Sequence, residues 1–227
     1  MQRHFDDELK LLNEDILRMG GLVEEAIGKA MKALVERDAK LAQAVVQGDD
    51  PVNLLEIAID ERCLELLARH QPAGSDLRFL AMALKINNDL ERIGDQAVNI
   101  AERTAELLKE PLLKPLIDIP RMAQLAQRMV KDSLDAFVRR DPILARDVCR
   151  RDDDVDQLND QVFRELLTYM ISDTKTITRA VDLILVGRHL ERIADHATNV
   201  AEDVIYFVQG KNIKHHLEDR QPRTVSS

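Results

Sequence analysis

A chain of 227 residues has room for one or two domains and a substantial core. Its 41 acidic against 32 basic residues leave a net charge of −9, which argues against general nucleic-acid binding, where a basic surface must displace counterions from phosphates, and against a polybasic membrane anchor. Aromatic residues are only 3% and tryptophan is absent, while hydrophobic residues reach 45% and charged ones 32%; this is the composition of an all-α helix bundle, too apolar for a disordered chain.

Residues 1–8 are acidic and carry no apolar run, so no signal peptide is expected. The best apolar run, 79–84, is far short of the ~18 residues that span a bilayer. Cys63 and Cys149 lack metal or redox spacing and read as small buried apolar residues. A soluble cytoplasmic protein is expected.

Six helices are predicted. The first covers 5–36. The second covers 38–70 with Asp38 as its cap, and Pro51 is expected to kink rather than break it. Pro72 and Gly74 separate it from a third helix over 75–110, in which Leu90, Ile93, Ala97, Ile100, Ala101, Thr104 and Leu108 step mostly by three and four. Pro111, Pro115 and Pro120 mark the next break. A fourth helix is expected over 118–139. The fifth, 142–171, opens on Asp141-Pro142, a cap followed by a first-turn proline. The sixth, 175–209, closes at Gly210, and 213–227 reads as a disordered tail. No window alternates as a strand does.

The chain contains itself twice. Leu90-Glu91-Arg92-Ile93-Gly94-Asp95 returns as Leu190-Glu191-Arg192-Ile193-Ala194-Asp195, and Asn99 and Glu102 return as Asn199 and Glu202, all at an offset of 100 by subtraction. Glu56 and Asp60 match Asp156 and Asp160 at the same offset, whereas Asp38, Asp49 and Asp50 match Asp141, Asp152 and Asp153 at 103. A three-residue gap near Pro51 reconciles the two registers. The expected architecture is therefore two tandem pseudo-symmetric three-helix bundles, 1–112 and 113–212.

The repeated block carries an acidic stripe. At about 100° per residue from Glu91, Asp95 lies at about 40°, Asn99 at about 80° and Glu102 at about 20°, whereas the apolar set falls between about 180° and 280°. Glu191, Asp195, Asn199 and Glu202 repeat this. Like charges at i,i+4 repel, and a stripe serving solubility alone would interleave Lys and Arg. The preceding helix of each unit adds Glu56/Asp60 and Asp156/Asp160, with Asp49, Asp50, Asn53, Asp152 and Asp153 upstream. Facing carboxylate pairs of this kind suit oxygen-liganded cations; magnesium, manganese, calcium, iron and zinc are not distinguished by the pattern. Arg92 and Arg192 are expected to form intrahelical ion pairs, and Gly94 to mark close helix packing.

Nucleotide-binding and hydrolase motifs are absent, as is the Glu-x-x-His of di-iron bundles, so an enzyme is not expected. His189, preceding Leu190-Glu191-Arg192, superficially resembles a histidine kinase phosphoacceptor. It lies at about 160°, near the apolar edge, and its repeat counterpart is Asp89, so a core-edge role is expected. A phosphotransfer module and a metal-storage protein remain the alternative readings.

The duplicated block, the ExxxD and DxxxD pairs, and the segments 52–61, 163–170 and 206–210 resemble the PhoU family of phosphate-signalling proteins over residues 5–215. The resemblance implies two three-helix bundles, frequent homodimerisation and a bacterial cytoplasmic location. It implies coupling of the phosphate ABC transporter, through its ATPase subunit, to a sensor histidine kinase, so that starvation genes stay off and uptake is restrained when phosphate is plentiful. It further implies metal ions on faces made by Glu56/Asp60 with Glu91/Asp95, and by Asp156/Asp160 with Glu191/Asp195. Asn99, Glu102, Asn199 and Glu202 are weaker candidates.

Overall fold

The computed structural model describes residues 2–210, with side chains from His4 onward, and every regular element among them is helical. The expected tail at 213–227 lies outside the described residues. The first helix, α1 (Gln2–Glu36), buries Leu12, Ile16, Met19, Val23, Ile27, Ala30 and Leu34, a stripe with steps of three and four. It ends at Arg37, whose backbone turns left-handed (φ 59°), and Asp38 N–H bonds back to the Ala33 carbonyl at 2.9 Å. The Asp38 carboxylate then caps α2 (Ala39–Gln47), accepting from the Lys40 and Leu41 amides.

Contrary to the expected kink, the chain breaks at Gly48-Asp49 and restarts as α3 (Asp50–His70). Pro51 sits in the first turn of α3, where its missing N–H has no helical partner to lose. Among the described residues the expected second helix is thus two, and the six expected helices become seven, the rest being α4 (Ser75–Leu107), α5 (Asp118–Arg139), α6 (Pro142–Ser172) and, after a short 3-10 turn at 174–176, α7 (Ile177–Gln209). The α5–α6 junction reproduces the α1–α2 one. Arg140 is left-handed (φ 52°), Asp141 N–H bonds to the Ala136 carbonyl at 2.9 Å, and the Asp141 carboxylate caps α6. Gly210 ends α7 with φ 67°.

Helices α1, α2–α3 and α4 form one three-helix set, and α5, α6 and α7 the other. The two are not separate beads. α4 packs against α7 and α1 against α5, and one continuous core runs through both sets. A Cβ at Gly20 would come within 2.4 Å of Leu134 Cδ1, so glycine lets α1 approach α5. Between α4 and α7 one pair of polar contacts obeys the sequence repeat. His196 Nδ1 pairs with Asp89 Oδ1 at 2.8 Å, and the equivalent exchange pairs His189 Nδ1 with Gln96 Oε1 at 2.9 Å. Lys85–Asp203 (3.1 Å) and Arg103–Asp182 (3.5 Å) flank them. At the far end, the linker after α4 is strapped down by Arg37, which donates to the Leu108 and Glu110 carbonyls, and by Arg179, which donates to that of Pro111. Among the described residues, no helix is long and apolar enough to cross a membrane.

Candidate functional site

The acidic positions lie along the grooves between α3 and α4 and between α6 and α7. In the first groove they are partly covered, Glu91 keeping only 23% of its side chain exposed and Asp95 38%; in the second, Glu191 is partly covered while Asp156, Asp160 and Asp195 are exposed.

In the first groove, burial raises the Glu91 carboxyl above its ordinary value, and the negative charges of Asp95, Glu56 and Asp49 raise it further against the opposing Arg92. The donors already present are local. Arg92 reaches Glu91 and Asp95 at 3.3 Å each, the expected intrahelical pairing, and Asn53 Nδ2 donates to Asp49 at 2.8 Å. Asp60 is held apart from this group. Asn87, fully buried on α4, donates through Nδ2 to Asp60 Oδ1 (2.9 Å) and to the Glu56 carbonyl (2.8 Å), tying α3 to α4. Asn87 Oδ1 is buried without a partner.

The second groove is more strongly charged. Burial pushes Asp152 up to about 6, with Asp195, Asp156 and Asp153 adding to the effect. Burial likewise raises Asp156, Glu191 and Asp195; Asp195 and Asp156 then raise Glu191, and Asp156 raises Asp195. Mutual repulsion between unneutralised carboxylates opposes ionisation of each of them. Asp160, exposed and 3.5 Å from Arg164, adds with Asp153 to the charge that raises Asp156. Arg192, expected to pair within its helix, has no ion pair within 4.0 Å among the described residues, although its charge favours ionised Asp195.

The structure therefore brings Glu56, Glu91 and Asp95 together with Asp49, and Asp156, Glu191 and Asp195 together with Asp152. Asp49 and Asp152 were legible only as upstream acids. Their signal was spacing: Asp49 precedes Glu56 by seven residues and Asp152 precedes Asp156 by four, and both intervals keep one helical face. The weaker candidates diverge. Asn199 Nδ2 turns across the repeat to Asp89 at 3.3 Å, and Glu102 lies in a groove between α2 and α4. A Cβ at Gly94 would sit 3.4 Å from Val52 Cγ1, an ordinary contact, so close packing does not demand glycine there.

An all-carboxylate donor set suits hard, oxygen-liganded cations. Among the described residues, no three His, Cys, Asp or Glu side chains converge closely enough to hold an ion as they stand. The donor chemistry fits a cation, and binding one requires the carboxylates to draw inward by rotamer change. Other chemistry is poorly served. His189 is half-buried, engaged by Gln96, and pushed down to about 4 by burial and by Arg192 and Arg103, so it is held neutral. Burial pushes the Cys63 and Cys149 thiols up to about 12; Cys63 is buried as expected, Cys149 only partly.

The PhoU domain family matches this chain twice, over residues 16–104 and 119–204. The phosphate-specific transport system accessory protein PhoU homolog of Aquifex aeolicus is 46% identical across 94% of this chain and 97% of its own length. The homolog of the same name in Pseudomonas aeruginosa is 42% identical across 95% and 89%. The crystal structure of PhoU from Pseudomonas aeruginosa superimposes with a TM-score of 0.89 at 43% identity, covering 91% of this chain and all of that one. The phosphate transport system regulatory protein PhoU from Streptococcus pneumoniae gives 0.85 at 32% identity, covering 92% and 98%.

Proposed function

The chain belongs to the PhoU family, and from that membership we propose that it is a non-enzymatic negative regulator of the phosphate-starvation response. In this reading it acts in the cytoplasm as a homodimer. It docks on the ATPase subunit of a phosphate ABC transporter and on a sensor histidine kinase, restraining uptake and keeping starvation genes off when phosphate is plentiful. The observation that carries the reading is near-complete coverage of accessory proteins of a phosphate transport system, by both repeats. Deleting the gene is expected to raise alkaline phosphatase activity at high phosphate. Unchanged activity refutes the regulatory role. A pull-down from phosphate-replete cells that recovers neither the transporter ATPase nor the kinase refutes the coupling.

Cation binding is part of the proposal. Glu56, Glu91 and Asp95 with Asp49 would hold a cation in the first groove, and Asp156, Glu191 and Asp195 with Asp152 in the second. Asp60 and Asp160 would join only by leaving Asn87 and Arg164. A bound cation supplies positive charge between two helices that otherwise repel. These residues oppose each other across α3–α4 and α6–α7, so neutralising them pulls each helix pair together.

A further inference from the structure

A second feature lies some 12 residues along α4 from Glu91, about 18 Å at the helical rise. Here the first turns of α1 and α4 meet the ends of α5 and α7, and a cleft of about 360 Å³ opens between the two repeats. That volume falls within the roughly 300–1,000 Å³ of small-molecule pockets.

Its floor is aromatic in a chain that packs its core almost without aromatics. Phe79 stacks on Phe137 with centroids 6.0 Å apart and meets Phe207 edge-on at 6.2 Å. Three of the five phenylalanines are thus gathered at one site. Phe137 and Phe207 are buried, and Phe79, between them, keeps part of its surface open.

The walls carry charge of both signs. Arg140 follows α5 on a left-handed backbone, with its guanidinium carbon 5.3 Å from the Phe207 centroid. This cation–π contact holds the guanidinium over the ring, and among the described residues no carboxylate pairs with it. Asp76, in the first turn of α4, and Asp6, on α1, line the same cleft. Asp76 accepts only a 3.3 Å bond from the adjacent Ser75 hydroxyl, and Asp6 has no ion pair among the described residues. Lys10, the other lining cation, reaches toward Glu14 at 4.0 Å.

We propose that this cleft is a binding site for a zwitterionic small molecule with a bulky apolar side chain, of the α-amino acid class. The side chain rests on the open surface of Phe79, which Phe137 and Phe207 back from beneath, the carboxylate takes the edge of Arg140, and the ammonium faces Asp76 and Asp6. Because α1 and α4 belong to one repeat and α5 and α7 to the other, such a ligand bridges the two, and its binding is expected to stabilise the whole fold.

The test is calorimetric titration and thermal melting of the full chain with L-phenylalanine and L-leucine, against phenethylamine, 3-phenylpropionate and L-glutamate. The bulky amino acids bind and raise Tm, and losing either charged group weakens binding by roughly tenfold or more. Arg140→Gln weakens L-phenylalanine and 3-phenylpropionate but leaves phenethylamine unchanged, and Asp76→Asn weakens L-phenylalanine and phenethylamine but leaves 3-phenylpropionate unchanged. Both substitutions are at the surface, and circular dichroism verifies folding. Absence of binding at millimolar amino acid overturns the proposal, as does equal binding of all three aromatic probes. So does tighter binding of an N-acetylated, amidated aromatic peptide than of the free amino acid, which would make the cleft a seat for a partner's side chain.

Discussion

Replacing Asp152 by asparagine is expected to stabilise the cation-free protein at neutral pH, although it alters a residue assigned to the site. Asp152 is pushed from 3.8 to about 6, principally by burial and then by Asp195, Asp156 and Asp153. Fully transmitted, a shift of about two units corresponds to about 3 kcal/mol; the side chain is half in solvent, and screening reduces this to about 1–2 kcal/mol. The folded-state value is raised, so the folded protein holds more protons than the unfolded one between the two values. The charged carboxylate therefore costs stability at pH 7, and the cost disappears as pH falls through about 6 toward 4. Urea unfolding in chelator is expected to place Asp152→Asn about 1–2 kcal/mol above the parent at pH 7.5, the gap closing by about pH 4. With millimolar manganese or magnesium the order should reverse, because the parent gains a ligand that the variant binds poorly. A variant less stable than the parent in chelator at pH 7.5 would refute the inference that burial and neighbouring carboxylates make the Asp152 charge destabilising.

Four further outcomes follow from the same geometry. Glu91→Gln with Asp95→Asn should lower divalent-ion binding in the first groove by equilibrium dialysis without loss of helicity by circular dichroism; unfolding would show that the stripe is structural. Ile93→Ala, at a fully buried position of α4, should cost about 2–5 kcal/mol in urea unfolding. Asp141→Ala should cost about 1 kcal/mol by removing the cap that bonds the Ile143 and Leu144 amides. Cys63 and Cys149 should react slowly with a disulfide reagent at pH 8 and rapidly in urea, since folding pushes both thiols up to about 12.

Much of this molecule is written in local signals. The caps at Asp38 and Asp141, the glycine end at Gly210 and the three-four spacing of α4 depend on residues within a turn or two of each other, and each takes the form its sequence implies. At Pro51 the local sequence does not decide between a kink and a break, because a proline in a first turn and one in mid-helix look alike there. What decides is whether the residues just before it stay helical, and Gly48 does not.

The site divides along the same line. Helical periodicity places Glu91 beside Asp95 and Asp156 beside Asp160, but it counts angles on one helix and is silent about the neighbour. Asp60 is drawn off by Asn87, a residue 27 positions away. Asp152 enters because α7 brings Asp195 against α6. The duplication carried more of this than periodicity did. If α4 and α7 pack about a pseudo-twofold with an offset of 100, any contact between residue i of α4 and residue j of α7 implies another between j−100 and i+100. Asp89 with His196 then requires position 96 to meet position 189, and Gln96 and His189 do meet. The repeat thus supplies the mate of this central pair once the pair is known, whereas Lys85–Asp203 and Arg103–Asp182 have no such polar mates because positions 185 and 82 are Leu and Met. It cannot supply the first pair, because that depends on how far α4 slides along α7. That slide is set by packing of the shared core, which no single helix encodes.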